Sequence, residues 1–163
     1  MNPIPILDIE ASGLHFDSYP IEIAVLVGNE VRSWLIKPEK GWDYWSETAE
    51  EMHGISREVL EQKGTAAELV ALELNDLAEA VGGVFYSDAV FGDEDWLKTM
   101  FFSVKLPMHF RVASIFDLLS SEETDIYRSA ATELAASGRY KIHRAEGDVL
   151  RIWHALEAAK AAF

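Results

Sequence analysis

The stretch IEIAVLVGNEVRSWLIKP, residues 21 to 38, decides the fold. Two apolar runs rich in β-branched residues meet at Gly28-Asn29, and a two-residue connection of that kind predicts a tight antiparallel hairpin. Upstream, IPILDI at 4 to 9 reads as a further strand, so the chain opens with three strands and an antiparallel start.

Downstream the pattern changes from strand to alternation. After the aromatic loop GWDYWSE, the segment TAEEMHGISREVLEQKG reads as two short helices broken at Gly54, with Ser56 and Glu58 placed to open the second. A longer helix is predicted from Thr65 to about Val81, its apolar face carried by Leu69, Leu72 and Leu77 and its stop by Gly82-Gly83. GVFYSDAVF is predicted as the fourth strand, DEDWLKTMFF as helical and HFRVASIF as a short fifth strand. SSEETDIYRSAATELAASG is helical with a capping pattern at Ser121 to Thr124, and the tail from about Gly147 is helical to the end. Three strands followed by alternating helices and strands specify an α/β domain whose sheet is mixed: antiparallel at one edge, parallel where helices cross over. At 163 residues, with no internal repeat and no linker, residues 1–163 are read as one domain.

Composition narrows the chemistry. With no cysteine, thiolate zinc sites, disulfides and cysteine nucleophiles are excluded, so any metal must sit on oxygen or imidazole. The formal charge of -14 argues against loose adhesion to nucleic acid or anionic lipid, which rests on Lys and Arg. Residues 1 to 81 hold 5 Lys/Arg against 16 Asp/Glu, a net of -11, and residues 82 to 163 hold 9 against 12, a net of -3. A polyanion is therefore expected to find its contacts mainly in the second half. The start MNPIPILDIEASG lacks the features of a signal peptide and no run of about 20 apolar residues is present, so no membrane partner and a cytoplasmic location are expected.

Three acidic features carry the candidate chemistry. Asp8 and Glu10 flank Ile9, and residues two apart on a strand share a face. Two carboxylates at the end of an apolar strand need a positive partner. With no Lys or Arg near in sequence, Mg²⁺ or Mn²⁺ is a good candidate, weighed against two solvated acids at a strand terminus. The second feature, SDAVFGDEDWL, lies where a strand gives way to a helix, and local sequence does not choose among Asp88, Asp93, Glu94 and Asp95; helix capping alone accounts for acids there. The third is KIHRAEGDVL at 141 to 150. Five residues separate His143 from Asp148, so the two face one point only if His143 lies on the loop before the helix, with Gly147 tolerating a bend between them. A histidine so placed suits a proton acceptor beside a metal ligand; a surface histidine and a capping aspartate are the plain alternative.

The ordered set, D-x-E on strand one, an Asp after strand four and H-x-x-x-x-D entering the last helix, resembles the DEDD superfamily of 3′ to 5′ exonucleases. The branch with His in the last motif (DEDDh) is the one it resembles, which includes the proofreading subunit of bacterial DNA polymerase III, RNase T and oligoribonuclease. DIEASGL is similar to the first motif, with Ala11 where Thr is common; IEIAVL to the second strand; MHGIS to a His-Gly-Ile element; and HRAEGD to the last motif. In the middle motif Asp88 takes the usual Asn place, and keeping the spacing to Trp96-Leu97 selects Asp93, with Asp95 as the fallback.

The resemblance implies a ribonuclease H-like fold, a mixed five-stranded sheet flanked by helices, and two divalent cations, Mg²⁺ or Mn²⁺. Asp8 would bridge the ions, Glu10 and Asp148 would complete one site, Asp93 would hold the other ion, and His143 would take a proton from the attacking water. Leu14 and His53 match positions against which a 3′ nucleotide stacks, and Ser12 and Gly13 belong to the same substrate-binding motif. Phe16, Trp42, Tyr44 and Trp45 are further platforms to weigh against simple packing, and Arg111, Arg139, Lys141 and Arg144 are candidate phosphate contacts. His15, His109 and His154 carry no motif. The expected partner is the 3′ end of single-stranded RNA or DNA, with RNA favoured because the chain lacks a polymerase. A homodimer is among the arrangements that relatives adopt. The competing functions are a catalytically inactive exonuclease-fold binding module and a phosphodiesterase acting on a small nucleotide-ended substrate.

Overall fold

The computed structural model describes residues 4–162. Six strands form one sheet, in the spatial order Thr65–Ala66 (β4), Glu30–Lys37 (β3), Pro20–Val27 (β2), Ile6–Ala11 (β1), Val84–Ser87 (β5) and Arg111–Ser114 (β6). The opening hairpin is as read: β1 (Ile6–Ala11) pairs antiparallel with β2 (Pro20–Val27), which pairs antiparallel with β3 (Glu30–Lys37). Val27 faces Glu30 across a two-residue turn in which Gly28 takes φ 62°, the left-handed conformation that the first position of a II′ turn requires. On the other side β1 pairs parallel with β5 (Val84–Ser87), and β5 with β6 (Arg111–Ser114).

The five expected strands are present, and Thr65–Ala66 adds a sixth, β4, parallel to the end of β3. This corrects the predicted start of the long helix. The chain at Gly64 approaches β3 so closely that a Cβ there would lie 2.4 Å from the Lys37 nitrogen, and the next two residues pair with the strand before α3 (Ala67–Ala80) begins. The buried face of α3 is also not the predicted one. Val70, Ala71, Leu74 and Ala78 face the core, whereas Leu69 and Leu72 are exposed and Leu77 lies at the margin. Small residues on the inner side let the helix lie close to the sheet.

The remaining helices are α1 (Glu47–His53), α2 (Arg57–Lys63), α4 (Val90–Ser103), α5 (Ser121–Ala136) and α6 (Ala145–Ala161). Ser46 and Ser56 cap the first two, and Gly54 separates them. Two further boundaries move. The strand read as GVFYSDAVF stops at Ser87, whose hydroxyl accepts the Ala89 N–H, so Val90 and Phe91 belong to α4. The capping box of α5 is formed by Ser120 and Glu123, one residue before the predicted pattern.

The sheet is covered on both faces. On one, Leu7, Ile9, Ile21, Ile23, Val25 and Phe85 pack against α2, α3 and α4. On the other, Ile6, Ala24 and Leu26 pack against α5 and α6. Residues of β1 therefore divide by parity, odd numbers toward the first layer and Ile6 toward the second.

Candidate active site

That parity places Asp8 and Glu10 on the α6 side of β1, two and four residues beyond Ile6. From α6 comes Asp148, in the first turn of the helix. One carboxylate oxygen from each of Asp8, Glu10 and Asp148 lies within 4.8 Å of the other two. The layer between sheet and helix thus turns from apolar to acidic toward one end of the strand.

Asp93 lies in the first turn of α4 and is 1% exposed, with the Ser87 hydroxyl donating to its Oδ2. Because β5 runs parallel to β1, α4 starts at the same end of the sheet as Glu10. The charge of Asp93 acts on both Asp8 and Glu10. Asp95, the alternative, is exposed. Asp88 is tied elsewhere: its Oδ2 accepts from Tyr127 Oη at 3.1 Å and lies 3.7 Å from an Arg151 nitrogen. Arg151 also donates from Nε to Asp148 at 3.2 Å.

Burial dominates the electrostatics. The Asp8 carboxyl is held well above its ordinary range, first by desolvation and then by the charges of Asp93, Asp148 and Glu10. Burial, with the charge of Asp148 and a hydrogen bond to it, pushes Glu10 up to about 8. Asp93 is raised to about 8 by burial despite the Ser87 bond. Asp8 Oδ2 is buried with no hydrogen-bond partner among the described residues. With Asp8 and Asp93 buried, Glu10 half-buried, one Asp8 oxygen orphaned and Arg151 paired to Asp148 and Asp88 rather than to these three, the set fits hard divalent cations such as Mg²⁺ or Mn²⁺.

His143 lies on the loop before α6, as its spacing from Asp148 required, exposed and with φ 60°. The helix begins at Ala145, so Gly147 is within its first turn rather than at a bend. Its role is close approach: a Cβ there would sit 2.4 Å from the Lys141 carbonyl oxygen.

Beside Glu10 opens a cavity of about 430 Å³ whose walls include Gly13, Leu14, His15, Tyr44, His53 and Trp96. Leu14 stands 93% exposed on its rim, and His53 is buried, its Nδ1 accepting the Ile55 N–H at 3.0 Å. Ser12 is not on the wall. It is fully buried, and its hydroxyl accepts the Tyr19 N–H across the turn between β1 and β2. The aromatic loop splits by role. Trp42 stacks on Tyr19 and bonds Ser103, and Trp45 bonds Glu50, so both pack, whereas Tyr44 faces the cavity. His15, to which the sequence assigned nothing, stacks on Tyr44 with ring centroids 4.6 Å apart. Phe16 is exposed nearby.

Arg144 is committed rather than free for phosphate, since its Nε and Nη2 both donate to Glu22. Glu22 was missed altogether. The signal for it was a single acid inside the apolar run IEIAVLV, at a position that pairs with Glu10 across the sheet.

No family model and no curated protein matches the chain. Solved structures do. A zinc-bound complex of E. coli exonuclease I with single-stranded DNA superposes with a TM-score of 0.74 at 15% identity, over 99% of this chain and 41% of that one. This chain has the exonuclease I fold. The same enzyme in complex with a dT13 oligonucleotide gives a TM-score of 0.71 at 14% identity, covering 99% of this chain and 40% of that chain. A ligand-free exonuclease I structure gives 0.71 at 14%, over 99% of this chain and 42% of that one. The chain spans about two fifths of the length of these exonuclease I chains, and across that span the mixed sheet flanked by helices is shared.

Proposed function

We propose that the chain is a metal-dependent 3′ to 5′ exonuclease that removes nucleoside 5′-monophosphates from single-stranded nucleic acid. The observation that carries this reading is the convergence of Asp8, Glu10 and Asp148 beside a cavity of about 430 Å³ that Glu10 lines, with Asp93 buried in the first turn of α4, its charge acting on Asp8 and Glu10. Two divalent cations held by these four carboxylates would supply Lewis-acid charge to the scissile phosphate and make a bound water acidic enough to attack.

The chain's own residues then divide the work. Asp8 is the carboxylate on which the others converge, its charge environment drawing on Asp93, Asp148 and Glu10 together. His143, exposed on the loop that leads into α6 and its Asp148, would accept the proton of the attacking water. Tyr44, His15 and Leu14 give the terminal base flat and apolar surface, which accepts any base and demands an unpaired end. The orphaned Oδ2 of Asp8 and the raised carboxyls of Glu10 and Asp93 are the features expected of ligands that take their counter-charge from a metal.

DNA and RNA compete as substrate. The RNA preference expected from the sequence has no residue of the site behind it, whereas the matching exonuclease I structures include complexes with single-stranded DNA and oligodeoxynucleotides. Single-stranded DNA is therefore the first substrate to test. The experiment is a timed digest of matched 5′-labelled DNA and RNA strands with Mg²⁺ or Mn²⁺, beside His143→Ala. A descending ladder from the 3′ end, slowed about 10²- to 10⁴-fold by the substitution, supports the reading. Intact substrate after prolonged digestion by folded, metal-loaded protein refutes it and leaves the binding module or a small nucleotide-ended substrate.

A further inference from the structure

We infer that Glu22, on β2, is a positioning residue that holds His143 for proton transfer by clamping the entry of α6; the inference rests on the exonuclease reading above. Glu22 pairs with Glu10 in the β1–β2 register and shares the face of Ala24 and Leu26, so it lies beneath α6. It is 3% exposed, and a carboxylate so buried needs its oxygens occupied. Two residues occupy them. Oε1 accepts the Ala145 N–H at 2.7 Å and Arg144 Nε at 3.1 Å, and Oε2 accepts Arg144 Nη2 at 2.7 Å and Nε at 3.1 Å.

These bonds replace what the helix does not provide for itself. Arg144 is the N-cap of α6 yet makes no side-chain cap bond, so the free Ala145 N–H is satisfied by an acid from another strand. The clamp falls between the two residues of interest. His143 is the residue immediately before Arg144, and its φ of 60° is a left-handed conformation that non-glycine residues keep only where the surrounding structure holds it. On the other side, the Asp148 N–H bonds the Arg144 carbonyl at 3.0 Å. One buried acid thus fixes the backbone on which proton acceptor and carboxylate are both hung. Glu22 contributes nothing to a metal directly, because its oxygens are already taken.

Glu22→Gln keeps the shape and an acceptor for Ala145 but loses the ion pair, and Arg144→Lys keeps charge but loses the two-pronged fit. Each is expected to lower kcat on single-stranded DNA about 10- to 100-fold with KM within about threefold. In a His143→Ala background Glu22→Gln is expected to cost less than about threefold, since residues acting through one another are not additive. A readout that needs no activity is the His143 ring resonance in metal-free protein, assigned by its loss in His143→Ala, which Glu22→Gln is expected to shift. An unmoved resonance, or losses that multiply in the double variant, would overturn the inference. If the wild type cleaves no nucleic acid, the exonuclease reading fails while the resonance still decides whether Glu22 positions His143.

Discussion

The two faces of β1 follow opposite rules. Leu7 and Ile9 look into a layer of apolar side chains from α2, α3 and α4. Ile6, Asp8 and Glu10 look toward α6, and along them the chemistry runs from hydrocarbon to carboxylate within two residues. One strand therefore supplies stability on one side and unsatisfied charge on the other. Burial serves both, since it drives apolar packing and it denies the acids their water.

Substitution of adjacent residues breaks that comparison most directly. Asp8→Asn is expected to reduce nuclease turnover about a thousandfold or more, the scale of losing several kcal/mol of metal-held charge stabilisation. It is expected to raise the thermal midpoint of the metal-free protein at pH 8, because it removes charge from a buried acidic cluster. Parallel single-turnover kinetics and melting in EDTA check both, and a lowered midpoint would show that Asp8 supports the fold. Leu7→Ala should do the reverse. It is expected to cost about 2–5 kcal/mol in urea unfolding while activity per folded molecule stays near wild type.

Proton linkage sharpens the contrast. Glu10 and Asp93, held at about 8 against ordinary values of 4.5 and 3.8, keep protons in the metal-free folded state that the unfolded chain has released. The stability this confers is fully present below the ordinary values and is lost as pH rises through about 8. Melting in EDTA is thus expected to show a midpoint that falls between about pH 5 and 9. Mn²⁺ should reverse the fall, with affinity rising over the same range, because the ligands must be deprotonated to bind. A midpoint indifferent to both pH and Mn²⁺ would count against a metal centre here. The smallest expected effect belongs to the cavity wall. If Tyr44 stacks on the terminal base as proposed, a contact of that kind is worth about 1–3 kcal/mol, and Tyr44→Ala is expected to raise KM for short single strands with kcat little changed.

What was legible in the sequence was what repeats or what stands out locally. The hairpin followed from Gly28-Asn29 between apolar runs, and His143 had to leave the helix because five residues cannot share one helical face with Asp148. The buried face of α3 is hidden in the sequence because its leucines are the larger apolar residues, yet Ala71 and Ala78 are what a helix lying close to a sheet needs. Ser120 and Ser121 offer the same capping chemistry one residue apart, so local sequence does not decide between them. Glu22 and His15 depend on partners distant in sequence, Arg144 for the first and Tyr44 for the second, and no local pattern reports such encounters; Tyr44 stands out as an aromatic, but only the fold separates it from Trp42 and Trp45, which pack.

Gly147 carries a consequence for variation. Any side chain there must displace the Lys141 carbonyl and with it the loop that ends in His143. In a saturation screen for nuclease survivors, position 147 is expected to be as empty of tolerated alleles as the acidic positions, although the residue makes no chemical contribution. Intolerance to mutation would then mark the shape of the backbone as much as the chemistry of the site.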